Sequence, residues 1–331
     1  MSQSAQPPPG YTASTTSATM LGAYGPWAAL LVDSPATYSF RREEWAGVEA
    51  WRPIARRRLL ERLASPPTGA VPDVTVRRRF VYDGLHVEEL SWQLPYGPPA
   101  EAIFLKPAGA TGRLPAVLAL HDHAGKKYFG KRKIARTAAD WHPLMLEHQA
   151  QCYGGVPWAN ELARRGYAVL VPDAFAFASR RVRVADVPQA IKAGGVDPIS
   201  GTRSEIVAFV RWAAGHESIL AKSLFCAGTT WPGVLLGEDR RALDVLFARE
   251  DIDPERVGCG GLSGGGLRTV YLGGIDPRSR CAVCAGMMTT WRDFMLNKCH
   301  THTWMIYIPL LPGELDYPEI LGLRAPLPTM S

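Results

Sequence analysis

The residues best suited to chemistry are Gly261-Leu262-Ser263-Gly264-Gly265. They follow the short apolar run Val257-Gly258-Cys259-Gly260 and precede Gly266-Leu267-Arg268-Thr269-Val270-Tyr271-Leu272, which can form a helix. A strand, a Gly-x-Ser-x-Gly turn and a helix in that order form a nucleophile elbow. The turn is too tight for a Cβ on its flanks, so glycine is required there. Ser263 is then pushed out at the end of the strand, with a helix N-terminus behind it. That terminus offers free N–H groups and a positive dipole end to a developing oxyanion. Without the flanking strand and helix, the same five residues would be a glycine-rich turn holding an incidental serine.

Acyl transfer needs a nucleophile, a base, an acid to orient the base, and an oxyanion hole. Two backbone N–H groups usually form the hole: one from the residue after the nucleophile, the other from the loop after an earlier strand. Gly264 fills the first place. His121-Asp122-His123-Ala124-Gly125 stands in the second, directly after the apolar run Ala116-Val117-Leu118-Ala119-Leu120. The second N–H is assigned to His123, with Ala124 as the next candidate. His121-x-His123 and His300-x-His302 also have the spacing of a chelating pair, since residues two apart share a strand face. The first pair runs into Ala-Gly rather than further ligands, so histidines that orient a loop or line a pocket are preferred. No metal and no other cofactor is expected.

The elements that must position these residues alternate. Residues 1–20, rich in Ser, Thr, Pro and Ala, are expected to be a disordered tail, and residues 21–70 a helical extension. Within 41–64 the apolar residues Trp45, Val48, Trp51, Ile54, Leu59 and Leu60 suit an amphipathic helix, stopped by Pro66-Pro67-Thr68-Gly69. Val74 to Tyr82 and His86 to Gln93 flank Asp83-Gly84, a hairpin signal, and Glu101 to Lys106 adds a third strand. Strand and helix then alternate: 116–120, helix 156–165, strand 167–171, helices 202–214 and 232–248, the strand before Ser263, and a strand over 281–288. Residues 174–200 are expected to be a loop over the C-terminal edge of the sheet, where such folds bind ligands. The fold class is α/β: a mostly parallel sheet flanked by helices, with an antiparallel N-terminal lead-in, in one domain over 71–331.

Bulk properties narrow the function classes. The chain has 331 residues, 47% hydrophobic, and a net charge of +6. The mild excess of arginine includes Arg56-Arg57-Arg58, read as a solvated helix face, and Arg77-Arg78-Arg79, read as a strand edge. No groove-reading motif accompanies them, so no nucleic-acid partner is expected. The apolar stretch Trp27 to Val32 is short, and neither a signal peptide nor a membrane span is expected. Six cysteines lie scattered. Cys281 and Cys284, three apart in a strand-like run, point to opposite faces, so buried thiols are expected rather than a disulfide. A reducing, cytoplasmic setting fits.

With these residues in hand, the chain resembles the dienelactone hydrolase-like and acetyl xylan esterase-like branch of the α/β-hydrolases. The resemblance rests on His121-Asp122-His123-Ala124-Gly125, Val171-Pro172-Asp173, Trp231-Pro232-Gly233 and the Gly-Leu-Ser263-Gly-Gly-Gly elbow, with support from Asp276-Pro277-Arg278 and Met288-Thr289-Thr290-Trp291. It runs from about residue 70 to the end. In the related glucuronoyl esterases an arginine usually follows the serine, where Gly264 stands here. The resemblance implies an α/β-hydrolase fold and a serine esterase, acting on a small carboxylic ester through an acyl-enzyme on Ser263. It also implies an acid after a later strand and a histidine after the last one. The chain ends at Ala325-Pro326-Leu327-Pro328-Thr329-Met330-Ser331, which resembles the approach to the strand before the acid, so the last strands, acid and base are expected to be missing. Asp293 and His302 are the substitutes that keep the order Ser, Asp, His; the other reading puts His300 and His302 in a lid with Trp304, Tyr307 and Pro309. The alternative function is a catalytically deficient hydrolase-like chain, a truncated product or binding scaffold. An exposed sheet edge would favour pairing with a second copy.

Overall fold

The computed structural model describes residues 18–32 and 34–331. The expected tail therefore lies outside the described residues except for its last three, where the Met20 N–H donates to the Leu296 carbonyl. Helix α1 (Gly25–Leu30) and helix α2 (Val48–Leu63) make up the extension. Trp51, Ala55, Leu59 and Leu63 recur every four residues along α2 and are buried, so one stripe of this helix faces the core.

Strands β1 (Thr75–Tyr82) and β2 (Leu85–Trp92) form the expected hairpin. Asp83 and Gly84 both have positive φ, 51° and 72°, as a two-residue turn matched to strand twist requires. β1 is the sheet edge and carries the exposed Arg77, Arg78 and Arg79. β3 (Ala100–Pro107) continues the antiparallel lead-in. β4 (Leu114–Leu120) is followed by helices α3 (Pro143–Tyr153) and α4 (Trp158–Arg164) and by β5 (Ala168–Pro172). α3 falls in a stretch that the sequence reading left unassigned; the His142 ring caps its start and Gly154 its end.

Helix α5 spans Arg203–Cys226, well past the expected end at residue 214, and starts with a capping box between Thr202 and Glu205. The single Gly215 inside it does not stop the helix, which is held by buried Ile206, Phe209, Trp212, Ala213 and Ala221. Helix α6 (Trp231–Phe247), β6 (Ile252–Leu262), α7 (Gly264–Ile275) and β7 (Cys281–Ala285) follow as the alternation required. β7 is shorter than expected. Cys284 is buried but Cys281 is exposed, so only one of the two thiols is buried as expected. After β7 come the one-turn helix α8 (Trp291–Asp293), a π turn and three 3-10 turns, then α9 (Tyr317–Gly322) and the two-residue β8 (Thr329–Met330).

The eight strands lie in the order β1-β2-β3-β5-β4-β6-β7-β8. β3 is antiparallel to β5, and all pairs from β5 to β8 are parallel. β5 is buried throughout, on both faces, as a continuous apolar run predicts. Along β5, Ala168 and Leu170 join the core under α2, α6 and α7, whereas Val169 and Val171 join the core under α4. From β4 the chain goes to one side, to β5, and then returns to the other side, to β6. The C-terminal ends of β4 and β6 thus flank a topological switch point, where open α/β sheets form their binding crevice. Among the described residues, no single helix is long and apolar enough to cross a membrane; α5 and α6 taken together pass that test but are bent by 84°.

Candidate active site

Leu120 at the end of β4 pairs with Gly261 at the end of β6. The residues just beyond them, 121–125 and 262–265, therefore emerge side by side at the switch point. Ser263 has φ 54° and ψ −114°, a conformation a non-glycine residue adopts only where surrounding structure enforces it. Its N–H donates to the Ala285 carbonyl at 2.8 Å, and its carbonyl accepts from Leu267 in the first turn of α7. The glycine pattern is steric. A Cβ on Gly265 would lie 2.0 Å from the Leu120 carbonyl oxygen, and one on Gly264 would lie 2.7 Å from the His123 nitrogen. The helix start is thus pressed directly onto the loop after β4. Ser263 makes no side-chain cap to α7, so its hydroxyl is not consumed by the helix.

The loop is braced by charge. The His123 ring accepts from the Gly125 N–H at Nδ1 (3.0 Å), so Nε2 carries the proton and donates to Glu217 Oε1 at 2.6 Å. Burial, reinforced by nearby Lys127, pushes His123 down to about 4. With both ring nitrogens engaged, this neutral ring is a strut for the loop and not a base for Ser263. Glu217 also pairs with Lys127 Nζ at 2.6 Å and accepts from the Thr303 hydroxyl and the Trp304 N–H. Burial alone would raise its pKa, but the His123 hydrogen bond and the Lys127 charge hold it well below the usual carboxylate range. Lys127, 4% exposed, is lowered by burial and sits over the Phe177 and Trp231 rings. Lys127, Glu217, His216, Trp212, Phe209 and Trp231 line a narrow crevice beside the loop.

His121 is also saturated: Nδ1 lies 3.0 Å from the Asp122 carbonyl and Nε2 accepts from the Ala174 N–H. Burial pushes it down to about 3. The His121-x-His123 pair is thus occupied with internal hydrogen bonds, and no group of three ligating side chains converges among the described residues. The structure brings Ser263, Gly264 and His123 together. It does not join Asp293 and His302 to them. Asp293 is exposed and accepts from Asn297 at 2.8 Å. His302 is exposed, with its ring against Phe294. No hydrogen bond links these two residues to each other or to Ser263, because 286–313 winds through short turns that aim them outward. The lid reading has a partial counterpart: Thr303 and Trp304, next to His302, anchor this segment on Glu217, and Trp304 packs on Tyr307.

Sequence reasoning missed Glu217 and Lys127. The first lies beyond the expected end of its helix, and the second lies in a lysine-rich stretch with no pattern marking it as buried.

The fold has counterparts among solved structures. The chain superposes on a putative acetyl xylan esterase from Bacteroides fragilis NCTC 9343 with a TM-score of 0.68, at 17% identity, over 94% of this chain and 74% of that one. The fold is that of the α/β-hydrolases. A glucuronoyl esterase from Solibacter usitatus shares this α/β-hydrolase fold with a TM-score of 0.52, at 15% identity, over 89% of this chain and 78% of that one. In sequence, the chain is 27% identical over 288 residues to the Bacillus subtilis protein named "Putative hydrolase YtaP", covering 83% of this chain and 78% of that protein. No protein-family model matches. The resemblance to the acetyl xylan esterase-like branch of the α/β-hydrolases thus stands at the level of fold.

Proposed function

We propose that this chain is a serine hydrolase that cleaves carboxylic esters through an acyl-enzyme on Ser263. The observation that carries this reading is the strained Ser263 at the switch point, with the Gly264 and His123 backbone nitrogens on adjoining segments. In the proposed reaction Ser263 Oγ attacks the ester carbonyl, and its proton passes to the departing alcohol. The carbonyl oxygen becomes an oxyanion held by the N–H groups of Gly264 and His123. Collapse expels the alcohol, and water then releases the acid. Relatives named as a hydrolase and as acetyl xylan and glucuronoyl esterases support ester substrates, and a small acetyl or aryl ester is the first choice. The six unpaired cysteines suit a reducing compartment such as the cytoplasm. Hydrolysis of p-nitrophenyl acetate by the full chain tests the reading. Ser263→Ala is expected to lower the rate by about 10³-fold or more; equal rates for the two proteins would sink the serine mechanism.

A second reading has one observation behind it. Among the described residues, no histidine or carboxylate forms a hydrogen bond to Ser263, and the nearby His123 ring is fully engaged. A hydroxyl without a base is a weak nucleophile, which would leave an idle scaffold that binds esters without turning them over. A fluorophosphonate probe separates the two: an activated Ser263 labels and an idle one does not.

A further inference from the structure

We propose that Lys133 is a positioning residue for the oxyanion hole: from behind the loop its ammonium clamps the carbonyls of Asp122 and His123, and so aims the N–H groups of His123 and Ala124 toward the Ser263 side. The inference rests on the ester-hydrolase reading for its catalytic consequence.

Lys133 is fully buried. Its Nζ donates to the Asp122 carbonyl at 2.7 Å and to the His123 carbonyl at 2.8 Å. In a trans peptide the C=O and the next N–H point in opposite directions. The Asp122 carbonyl belongs to the same peptide plane as the His123 N–H, and the His123 carbonyl to the same plane as the Ala124 N–H. A donor that pins both carbonyls from one side therefore fixes both N–H groups on the other. A charged donor also polarises each peptide unit, which strengthens its N–H as a donor in turn.

A buried ammonium is costly, and a purely structural lysine would be expected to spend its hydrogen bonds on a carboxylate. Here the facing Asp122 Oδ2 is 3.6 Å away and has no hydrogen bond, while Oδ1 is taken by His148 Nε2 and the Tyr153 hydroxyl. The direct bonds of Lys133 go to the loop backbone instead. The remaining side of the ammonium faces the Phe177 ring, 4.7 Å from its centroid. The clamp is itself fixed. Lys131 in the same turn is tied through its N–H and Nζ to Asp173, and Gln149 of α3 donates to the Lys133 carbonyl. A Cβ on Gly130 would lie 2.2 Å from Asp173 Oδ1, so the turn sits tightly on the end of β5.

The test compares the full chain with Lys133→Met, which keeps the volume without the charge, and Lys133→Gln, which keeps an N–H donor. Near-UV circular dichroism and Tm establish that each is folded. In Lys133→Met, kcat for p-nitrophenyl acetate is expected to fall by about 10-fold or more with KM within about 2-fold, the split for lost transition-state stabilisation. Lys133→Gln recovers part of kcat. Independently of turnover, the amide signals of His123 and Ala124 in a 15N–1H spectrum are expected to move in both variants. Folded variants with unchanged kcat and unmoved amides would overturn the proposal and leave Lys133 a packing residue. If the wild type shows no Ser263-dependent hydrolysis, the ester reading fails while the amide signals still decide the clamp. Should neither variant fold, the wild type alone decides it. Burial lowers Lys133 to about 8, opposed by Asp122 and reinforced by Lys127 and Lys126; His121 and His123 also face its charge, and His148 and Tyr153 bond the same Asp122 carboxylate. An alkaline titration that also follows the 15N signal of Lys133 Nζ keeps the clamp testable: the two amides are expected to shift together wherever the ammonium loses its proton, and amides that stay put through that step would refute the clamp.

Discussion

The two sides of the proposed oxyanion hole are built by opposite means. The elbow is fixed by shape. Gly265 touches the Leu120 carbonyl at a distance no side chain could share, Gly264 abuts His123, and Ser263 is bonded through its backbone to Ala285 and Leu267. The loop 121–127 is fixed by charge. His123 leans on Glu217 from α5, Lys127 shares that carboxylate, and Asp122 bonds His148 of α3. Close packing depends little on pH and fails abruptly when an atom is added. Buried charge tolerates small changes of shape but responds to protonation and to the loss of either partner. An oxyanion that needs one donor from each side would inherit both sensitivities.

The sharpest break of that comparison is Gly264→Ala, where shape meets charge. The new Cβ would lie 2.7 Å from the His123 nitrogen and 3.0 Å from its Cβ, so the loop must retreat and the two donors separate. Hydrolysis is expected to fall by about 100-fold, as for a lost oxyanion donor. Steady-state kinetics beside Tm checks it: activity should fall far more than stability. Next comes Glu217→Gln. It strips His123 and Lys127 of their common carboxylate and leaves the Lys127 ammonium buried against rings. A stability loss of about 3 kcal/mol is expected, the scale for breaking a buried pair. Urea unfolding measures it, and a change below about 0.5 kcal/mol would mean the brace does not hold the loop.

A graded effect should appear with pH alone. His121 and His123 are held down to about 3 and about 4, against 6.5 when unfolded. Between those values the unfolded chain binds protons that the folded chain does not, so stability is lost as pH falls from 6.5 toward 4. The groups facing His123 are Lys127, Glu217 and Lys133, and those facing His121 are Lys133, Arg268 and Asp173; the lysines and Arg268 add to the resistance to protonation, and Glu217 and Asp173 oppose it. Fully expressed, below pH 3, the two shifts together correspond to about 8 kcal/mol, of which about 5 kcal/mol is reached at pH 4.5. Hydrogen exchange at pH 4.5 should open amides 122–127 before those of α7, which holds no group that titrates in this range. Simultaneous opening would erase the contrast between the two sides.

This contrast also explains what could be read in the sequence. The elbow is legible because its cause is local: five residues, three of them glycine, between a strand and a helix. The α/β layering is legible because apolar runs buried on both faces differ from amphipathic helices. His123 could be placed only as the residue that follows a central strand. What braces it could not. Nothing in Lys126-Lys127-Tyr128-Phe129-Gly130-Lys131-Arg132-Lys133 distinguishes a lysine inside the protein from one in water, since the partners lie just beyond β4 and β5 and on α5. Glu217 was hidden by Gly215, a weak helix breaker overridden by packing of the buried face of α5.

Asp293 and His302 belong to neither side, and they bound the comparison from below. The order Ser, Asp, His made them substitutes for acid and base, but order does not supply distance. A base must come within hydrogen-bond reach of the serine, and an acid within reach of the base. Asp293 instead accepts from Asn297 one turn later, on the exposed face of α8, and His302 rests on Phe294. Asp293→Asn and His302→Gln are therefore expected to change the hydrolysis rate by less than about 2-fold, each alone and together, because effects of distant, independent groups add. The double variant is the stronger arm. Groups acting as one catalytic unit lose nearly everything with the first removal and little with the second. A large loss in either single variant, not deepened in the double, would show that 286–313 swings inward during turnover and would make the exposed segment the third wall of the site.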